Sequence, residues 1–446
     1  MGTTSLNATT DAPADEPAVA RGYAWVVFAL TFALMISDFM SRQVLNAVFP
    51  DLKTEWLLTD LQLSLLSSVV AISVALLTLP LSIVADRWGR VNCIVAMVLV
   101  WSLATLGCAL ARNYEELLAA RLLVGVGEAA YASIGGAVVI SIFPRHMRAT
   151  LTAAMTSGGV FGSVFGVALG GIVARHMGWR WSFGVMAIVG VVLVVVYRIV
   201  VTERRIGGAT GDAKAVEANQ PTSNLRIGAL MRSVLRGRSL KAAYLGNGIQ
   251  LMSAGALVVW LPSLFNRYYG MALDKAGVTA ALFVLFAALG MVICGAVTDR
   301  LSRRAPDRAW LVAACIAFGS FVALTSAMAL GSGKAQLALI GCGMFLSVGT
   351  MGAAGAITAN LTPRSIHSSS FAVLALADNL IGFASGPLLV GWLADRVGLL
   401  SALQWIPVAS VVAGIAFLLG RTTYARDASD VGEMQIDAPP HSTQPA

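Results

Sequence analysis

The chain breaks again and again into apolar runs of about 20 residues, the length an α-helix needs to cross a hydrocarbon core of about 30 Å. Twelve such runs are legible, at approximately 23–47, 60–85, 91–111, 114–143, 147–174, 179–201, 240–267, 275–299, 309–331, 334–361, 367–394 and 399–420. Inside a bilayer every backbone amide and carbonyl needs an internal partner, so runs of this kind become helices. The balance of residues agrees. Some 57% are hydrophobic and only 12% charged, against about 25% charged in an ordinary soluble domain. The sequence therefore predicts an all-α membrane protein with twelve transmembrane helices.

A polar stretch divides these runs six and six. The expected organisation is an N-terminal tail (1–22), a six-helix bundle (23–201), a linker (202–238), a second six-helix bundle (239–420) and a polar tail from 421 to 446, expected to be disordered. Lys and Arg gather on the side that carries both tails and the linker, which places both termini in the cytoplasm by the positive-inside rule. The first twenty residues are polar and acidic and the first apolar run is a full span, so no cleavable signal is expected. A net charge of +8 spread over short loops reads as a topology determinant, with no nucleic-acid partner. Cys93, Cys108, Cys294, Cys315 and Cys342 lack paired spacing and the four histidines are scattered, so neither disulfide nor metal site is expected.

The halves repeat. Asp86-Arg87-Trp88-Gly89-Arg90 after the second span is echoed by Asp299-Arg300-Leu301-Ser302-Arg303 after the eighth. Pro144-Arg145 returns as Pro363-Arg364, and Gly162, Gly166 and Gly171 in the fifth span return as Gly382, Gly386 and Gly391 in the eleventh. Duplication of a six-helix unit is the transporter pattern. The acid and arginines of the repeated loop (Asp86, Arg87, Gly89, Arg90; Asp299, Arg300, Arg303) suit a cytoplasmic gate whose pairs break as the bundles rock. The plainer alternative is a positive-inside turn. Gly158, Gly162, Gly166 and Gly170 recur every four residues, a stripe that lets a neighbouring helix approach closely.

Charges inside the spans are the functional signal, because each costs at least a few kcal/mol unless it faces a partner or a wet path. Arg121 and Glu128 lie seven residues apart in the fourth span, on one face and about 10 Å apart along the axis. In the first span Asp38 and Arg42 share a face at i and i+4. Counting depth from Tyr23 and Tyr114 at 1.5 Å per residue sets Asp38 level with Arg121, Arg42 nearer the outer rim and Glu128 deeper. Glu128 or Asp38 is the expected proton carrier, with Arg42 and Arg121 as switching partners or anion anchors. The alternative is a static buried ion pair. Phe39, Tyr131, Asn247, Gln250, Trp260, Asp378 and Asn379 are candidate cavity residues. Asn247 and Gln250 equally suit interhelical hydrogen bonds, Asp378 a structural acid, and the aromatics core packing.

These motifs resemble the major facilitator superfamily over about residues 22–421. Its loop pattern is matched at Asp86, Arg87, Gly89 and Arg90, with Ser82 in place of the leading Gly, and again at Gly295, Asp299 and Arg300. Its fourth-span pattern is matched at Arg121, Gly125 and Gly127, where the family arginine is associated with proton coupling. The resemblance implies two pseudo-symmetric six-helix bundles, the major facilitator fold. Within the superfamily the chain looks most like the Spinster-like branch, through Arg42-Gln43-Val44-Leu45, Pro50-Asp51-Leu52-Lys53, Thr59-Asp60-Leu61-Gln62 and Val126-Gly127-Glu128-Ala129. Ser41 stands where that branch has Asp, and Asp38 lies one turn earlier. Gly166-Val167 in place of a Gly-Pro pair argues against a drug exporter.

No nucleotide loop or catalytic constellation stands out, so no cofactor or enzymatic role is expected and energy should come from an ion gradient. The expected protein is a monomeric multi-pass secondary transporter of the cell membrane, whose partners are protons, membrane lipids and a small organic molecule. The arginines favour an organic anion or an amphipath with an anionic head, either lysolipid- or sphingolipid-like or a small organic or aromatic carboxylate. A non-transporting sensor or scaffold on the same fold is the competing class.

Overall fold

In a computed structural model the residues described are 19–203, 205, 206, 237–303, 305–362 and 366–436. Most of the expected linker, the second Pro-Arg pair (Pro363-Arg364), and the side chains of Asp86, Arg87 and Arg145 lie outside them. The described residues form twelve helices long and apolar enough to span a membrane, in two bundles of six. The first bundle comprises α1 (Arg21–Trp56), α2 (Asp60–Trp88), α3 (Arg90–Leu110), a fourth span made of α4 (Tyr114–Glu128) and α5 (Tyr131–Ile142), α6 (Arg148–Met177) and α7 (Trp179–Val200). The second comprises α8 (Arg238–Tyr269), α9 (Leu273–Ser302), α10 (Arg308–Ala329), a tenth span made of α11 (Lys334–Ser347) and α12 (Thr350–Asn360), and two further spans. The eleventh joins α13 (His367–Ala377) to α14 (Ser385–Val397) through a π-helical stretch, Asp378–Ala384, and the twelfth is α15 (Leu399–Trp405) followed by α16 (Val408–Ile436).

Four of these spans are less regular than the expected single helices, the twelfth being interrupted at Ile406-Pro407. The fourth breaks directly after Glu128, where the Thr78 hydroxyl donates to the Ala129 carbonyl at 2.6 Å and Ser133 Oγ to that of Ala130 at 2.9 Å. Hydroxyls that capture carbonyls in this way compete with the helical ladder. The tenth breaks at Val348-Gly349, and the eleventh loosens into the π-helix at Asp378. The tail also departs from expectation. From Arg421 it continues α16 as a helix to Ile436 rather than as disordered chain. The extension has partners: Arg421 Nη2 pairs with Asp307 at 2.9 Å, Asp427 accepts from the Ser239 amide at the start of α8 at 2.8 Å, and Tyr424 meets Trp310 edge-on.

The glycine stripe packs as its spacing predicts, and the repeat extends to which neighbour each glycine meets. A Cβ at Gly162 would lie 2.5 Å from the Ile36 carbonyl and one at Gly166 2.8 Å from that of Met40, so α6 can lie against α1 only without side chains there. In the second half Gly382 and Gly386 face Leu251 and Met252 of α8, the equivalent helix. Gly171 and Gly391 instead cross between bundles, to Leu273 and Gly277 of α9 and to Asp60 and Ser64 of α2 respectively. This exchange of first with seventh and second with eighth spans is what a two-fold pseudo-symmetry axis between bundles requires.

The core falls into three parts. One runs through both bundles, uniting Val44, Val48, Phe49 and Leu52 with Trp260, Leu261, Leu264 and Val390. The other two belong to single bundles at the end that carries the termini: Val27, Val91, Ile94 and Val138 in the first, Leu240, Trp310, Ile357 and Phe417 in the second. Among the described residues the bundles therefore share a core at the Asp60 end and have separate cores at the other.

Candidate functional site

Three of the four intramembrane charges expected from the sequence, Asp38, Arg42 and Glu128, meet where the shared core gives way to the two separate ones. Arg42 reaches inward along α1 and grips Glu128, with Nε 3.0 Å and Nη2 2.8 Å from Oε2. The Glu128 side chain is fully buried, whereas that of Arg42 keeps 21% of its surface exposed. Asp38, one turn along, lies within hydrogen-bonding reach of Glu128 and within coulombic reach of Arg42. Asp38 Oδ1 and Glu128 Oε1 are both buried without a hydrogen-bond partner, a state that suits a protonated carboxyl better than an ionised one. The Arg42 guanidinium also sits over the Phe39 ring, 5.2 Å from its centroid, a weakly favourable cation–π placement.

Arg121 does something else. It is wholly buried, and its three nitrogens donate to the carbonyls of Leu66 (3.1 Å), Ser41 (3.2 Å) and Arg42 (3.2 Å). The depth expectation is corrected accordingly. Arg121 is level with the Ser41-Arg42 backbone, and Asp38 with Glu128. The counting assumed that α1 begins its crossing at Tyr23. In fact α1 runs from Arg21 to Trp56, far longer than one crossing needs, so its first turns are no measure of depth.

The remaining candidates lie in separate parts of the two bundles. Tyr131 is buried in the core of the first bundle, its hydroxyl on the Thr31 carbonyl at 2.7 Å and its ring edge-on to Trp101. Trp260 is buried in the shared core, with Nε1 on the Pro387 carbonyl at 3.2 Å and Phe49 alongside. Asn247, Gln250 and Asp378 lie together in the second bundle, and Asn379 bonds back to the Ala375 carbonyl of its own helix. At the end that carries the termini, Gly89 adopts φ +90° between α2 and α3. The Glu203 carboxylate accepts from the amides of Arg90 and Val91, each at 2.9 Å, and a Cβ at Gly89 would press on it. Asp299, Arg300 and Arg303 are exposed, and no side-chain ion pair links them to the first bundle among the described residues.

A second polar constellation, not expected from the sequence, closes the Asp60 end. Asp60 takes Lys53 at 2.7 Å and a two-pronged Arg267 at 3.1 and 2.8 Å. Asp395, at the end of α14, accepts the first amides of α2 at Asp60 (2.6 Å) and Leu61 (3.0 Å). Ser68 adds a bond to the Ala384 carbonyl at 2.7 Å. Every inter-bundle hydrogen bond found among the described residues lies on this side. The available signal was Thr59-x-x-Gln62, a capping box that marks a helix start and is realised here in both directions. Gln43, Asn46 and Ser67 form a further polar chain beside Arg42, with bonds of 2.6 and 3.4 Å.

Comparison with known proteins gives the arrangement relatives. Residues 31–351 match the family described as Major Facilitator Superfamily. The "Sphingosine-1-phosphate transporter SPNS2" of Danio rerio is 24% identical over 92% of this chain and 86% of its own. The "D-galactonate transporter" of Escherichia coli is 24% identical over 89% of this chain and 95% of its own. A crystal structure of a bacterial homolog of the human lysosomal transporter Spinster, inward-facing and unoccupied, superposes with a TM-score of 0.80. It covers 92% of this chain and 99% of its own at 18% identity.

Proposed function

The chain belongs to the major facilitator superfamily, and on that premise we propose that it is a proton-coupled secondary transporter of an organic anion that works by alternating access. The observation that carries this reading is one guanidinium, Arg42, paired with buried Glu128 and within coulombic reach of a second buried acid, Asp38, where the bundles part. With Glu128 ionised, Arg42 is occupied. When Glu128 and Asp38 hold protons, the ion pair is lost and the partly exposed Arg42 is free to take an anionic substrate. Proton and anion then bind together, because each removes the penalty the other would face alone. Arg121, spent on three carbonyls, holds α1 and α2 to α4 so that this exchange happens at a fixed place.

The Lys and Arg distribution supports a cell-membrane protein with both termini in the cytoplasm; on that reading the closed Asp60 end is extracellular and the bundles part toward the cytoplasm. Asp60, Lys53 and Arg267 then form the outer gate, and the Asp86–Arg90 and Asp299–Arg303 loops the cytoplasmic one. The substrate is an organic anion, with or without a lipid tail: relatives named for sphingosine-1-phosphate and for D-galactonate support both sizes. A monomer suffices, since both bundles come from one chain.

The test is uptake of D-galactonate and of sphingosine-1-phosphate into proteoliposomes with and without an imposed pH gradient. Glu128→Gln or Asp38→Asn should abolish gradient-driven accumulation while leaving exchange of internal for external substrate. If both variants accumulate as the parent does, these acids do not couple. If neither compound moves in the parent and none binds, the organic-anion assignment fails.

A further inference from the structure

The second bundle holds a buried acid that the Arg42–Glu128 exchange does not use. Asp378 is 7% exposed at the first turn of the π-helix. One oxygen, Oδ1, accepts from Asn247 Nδ2 at 2.7 Å, and Asn247 Oδ1 in turn accepts the Thr350 hydroxyl at 2.8 Å. Gln250, one turn further along α8, donates to the Ser347 carbonyl at 3.3 Å, while its own Oε1 is buried with no partner. Three spans therefore converge on this carboxyl. Two of them are irregular there, the tenth broken between Ser347 and Thr350 and the eleventh in π form. Non-helical backbone at membrane depth is tolerated where protein or a site surrounds it, and π stretches gather at functional sites.

Charge accounting narrows the use of this cluster. No lysine, arginine or histidine reaches Asp378 among the described residues; the one side chain bonded to it is the neutral Asn247. On α8 the adjacent titratable group is Tyr244, one turn before Asn247, with its hydroxyl beside Ser370. The Asp, Lys and Arg of α2 and α14 lie at the ends of those helices, α12 has no charged residue, and the one titratable group of α13 is His367 at its start, bonded to the Thr362 carbonyl. An ionised carboxylate in such a place, held by one amide, would cost several kcal/mol. A protonated one would not, and it brings an O–H donor to a bundle face where Gln250 Oε1 lacks one.

We propose that Asp378 is a second proton-binding site, one per bundle, distinct from the Asp38–Glu128 pair. It deepens the proton-coupled reading and rests on it only for the use of the proton in transport. Each turnover then carries a proton in each bundle, and entry or loss of the second is linked to repacking of α8 against the broken tenth and bulged eleventh spans.

The test is pH-difference infrared spectroscopy of the purified full-length protein in lipid vesicles, following the C=O stretch of protonated carboxyls, with no substrate added. The parent should show two separable titrating contributions. Asp378→Asn should remove one and leave the other, and Asp38→Asn with Glu128→Gln should do the reverse. Should Asp378→Asn not fold, Asn247→Ala keeps the carboxyl and should shift the frequency of its band alone by removing its amide partner. A spectrum unchanged by Asp378→Asn would mean an ionised structural acid and would overturn the proposal. So would a band that sodium chloride, but not potassium chloride, displaces, since the site would then hold a metal cation. A parent spectrum that carries the Asp378 band but none from Asp38 and Glu128 would count against the transport reading alone.

Discussion

Arg42 and Arg121 show how differently one residue type can be spent within a single turn of depth. Arg42 is paired with a carboxylate and partly wet; Arg121 is dry and bound only to carbonyls. Arg42→Ala should leave Glu128 buried without its cation and destabilise the ionised protein by about 3–5 kcal/mol, a cost that Arg42→Ala with Glu128→Gln should largely remove. Denaturation midpoints of the purified variants measure both. Arg121→Lys keeps the charge but cannot reach three carbonyls from one fork, so it should destabilise at every pH. That charges sit at 38, 42, 121 and 128 was legible, because ionisable residues stand out in apolar runs. Which arginine meets Glu128 was not: side-chain reach is settled by the carbonyls the neighbouring helices offer.

At the scale of the element, the glycines of α6 set where α1 lies, and α1 carries Asp38 and Arg42. Gly166→Val should force α6 away from Met40, cost about 1–3 kcal/mol and reduce transport, whereas Gly136→Ala, with nothing near its added methyl, should be neutral or slightly stabilising. Thermal stability in detergent and flux from the same preparations check this pair. Helix positions and this stripe could be read from length and period. The breaks at Ala129-Ala130 and Val348-Gly349 could not, since both dipeptides belong to ordinary apolar runs and the breaks depend on contacts from other spans, such as Thr78. The tail from Arg421 was misread for a related reason. Its described polar residues belong to a helix lying against Asp307, Trp310 and Ser239, not to a chain without partners.

For the whole molecule, the position of contacts matters more than their number. The bundles share hydrogen bonds, ion pairs and core at the Asp60 end, and nothing equivalent joins them at the other among the described residues. Arg267→Ala should leave Asp60 with Lys53 alone and shift the population toward opening at this end. Spin labels at Leu57 and Val397, exposed on opposite bundles, should then report a longer and broader distance distribution than in the parent. The division of the core carries a further consequence. To open at the Asp60 end the protein must pull apart packed side chains such as Phe49 and Trp260 and wet their surfaces, whereas the described residues of the other end form no shared core to split. Wetting apolar surface raises heat capacity. The two legs of the cycle should therefore respond unequally to temperature, the leg that opens this end giving a curved Eyring plot and the return leg an opposite bend.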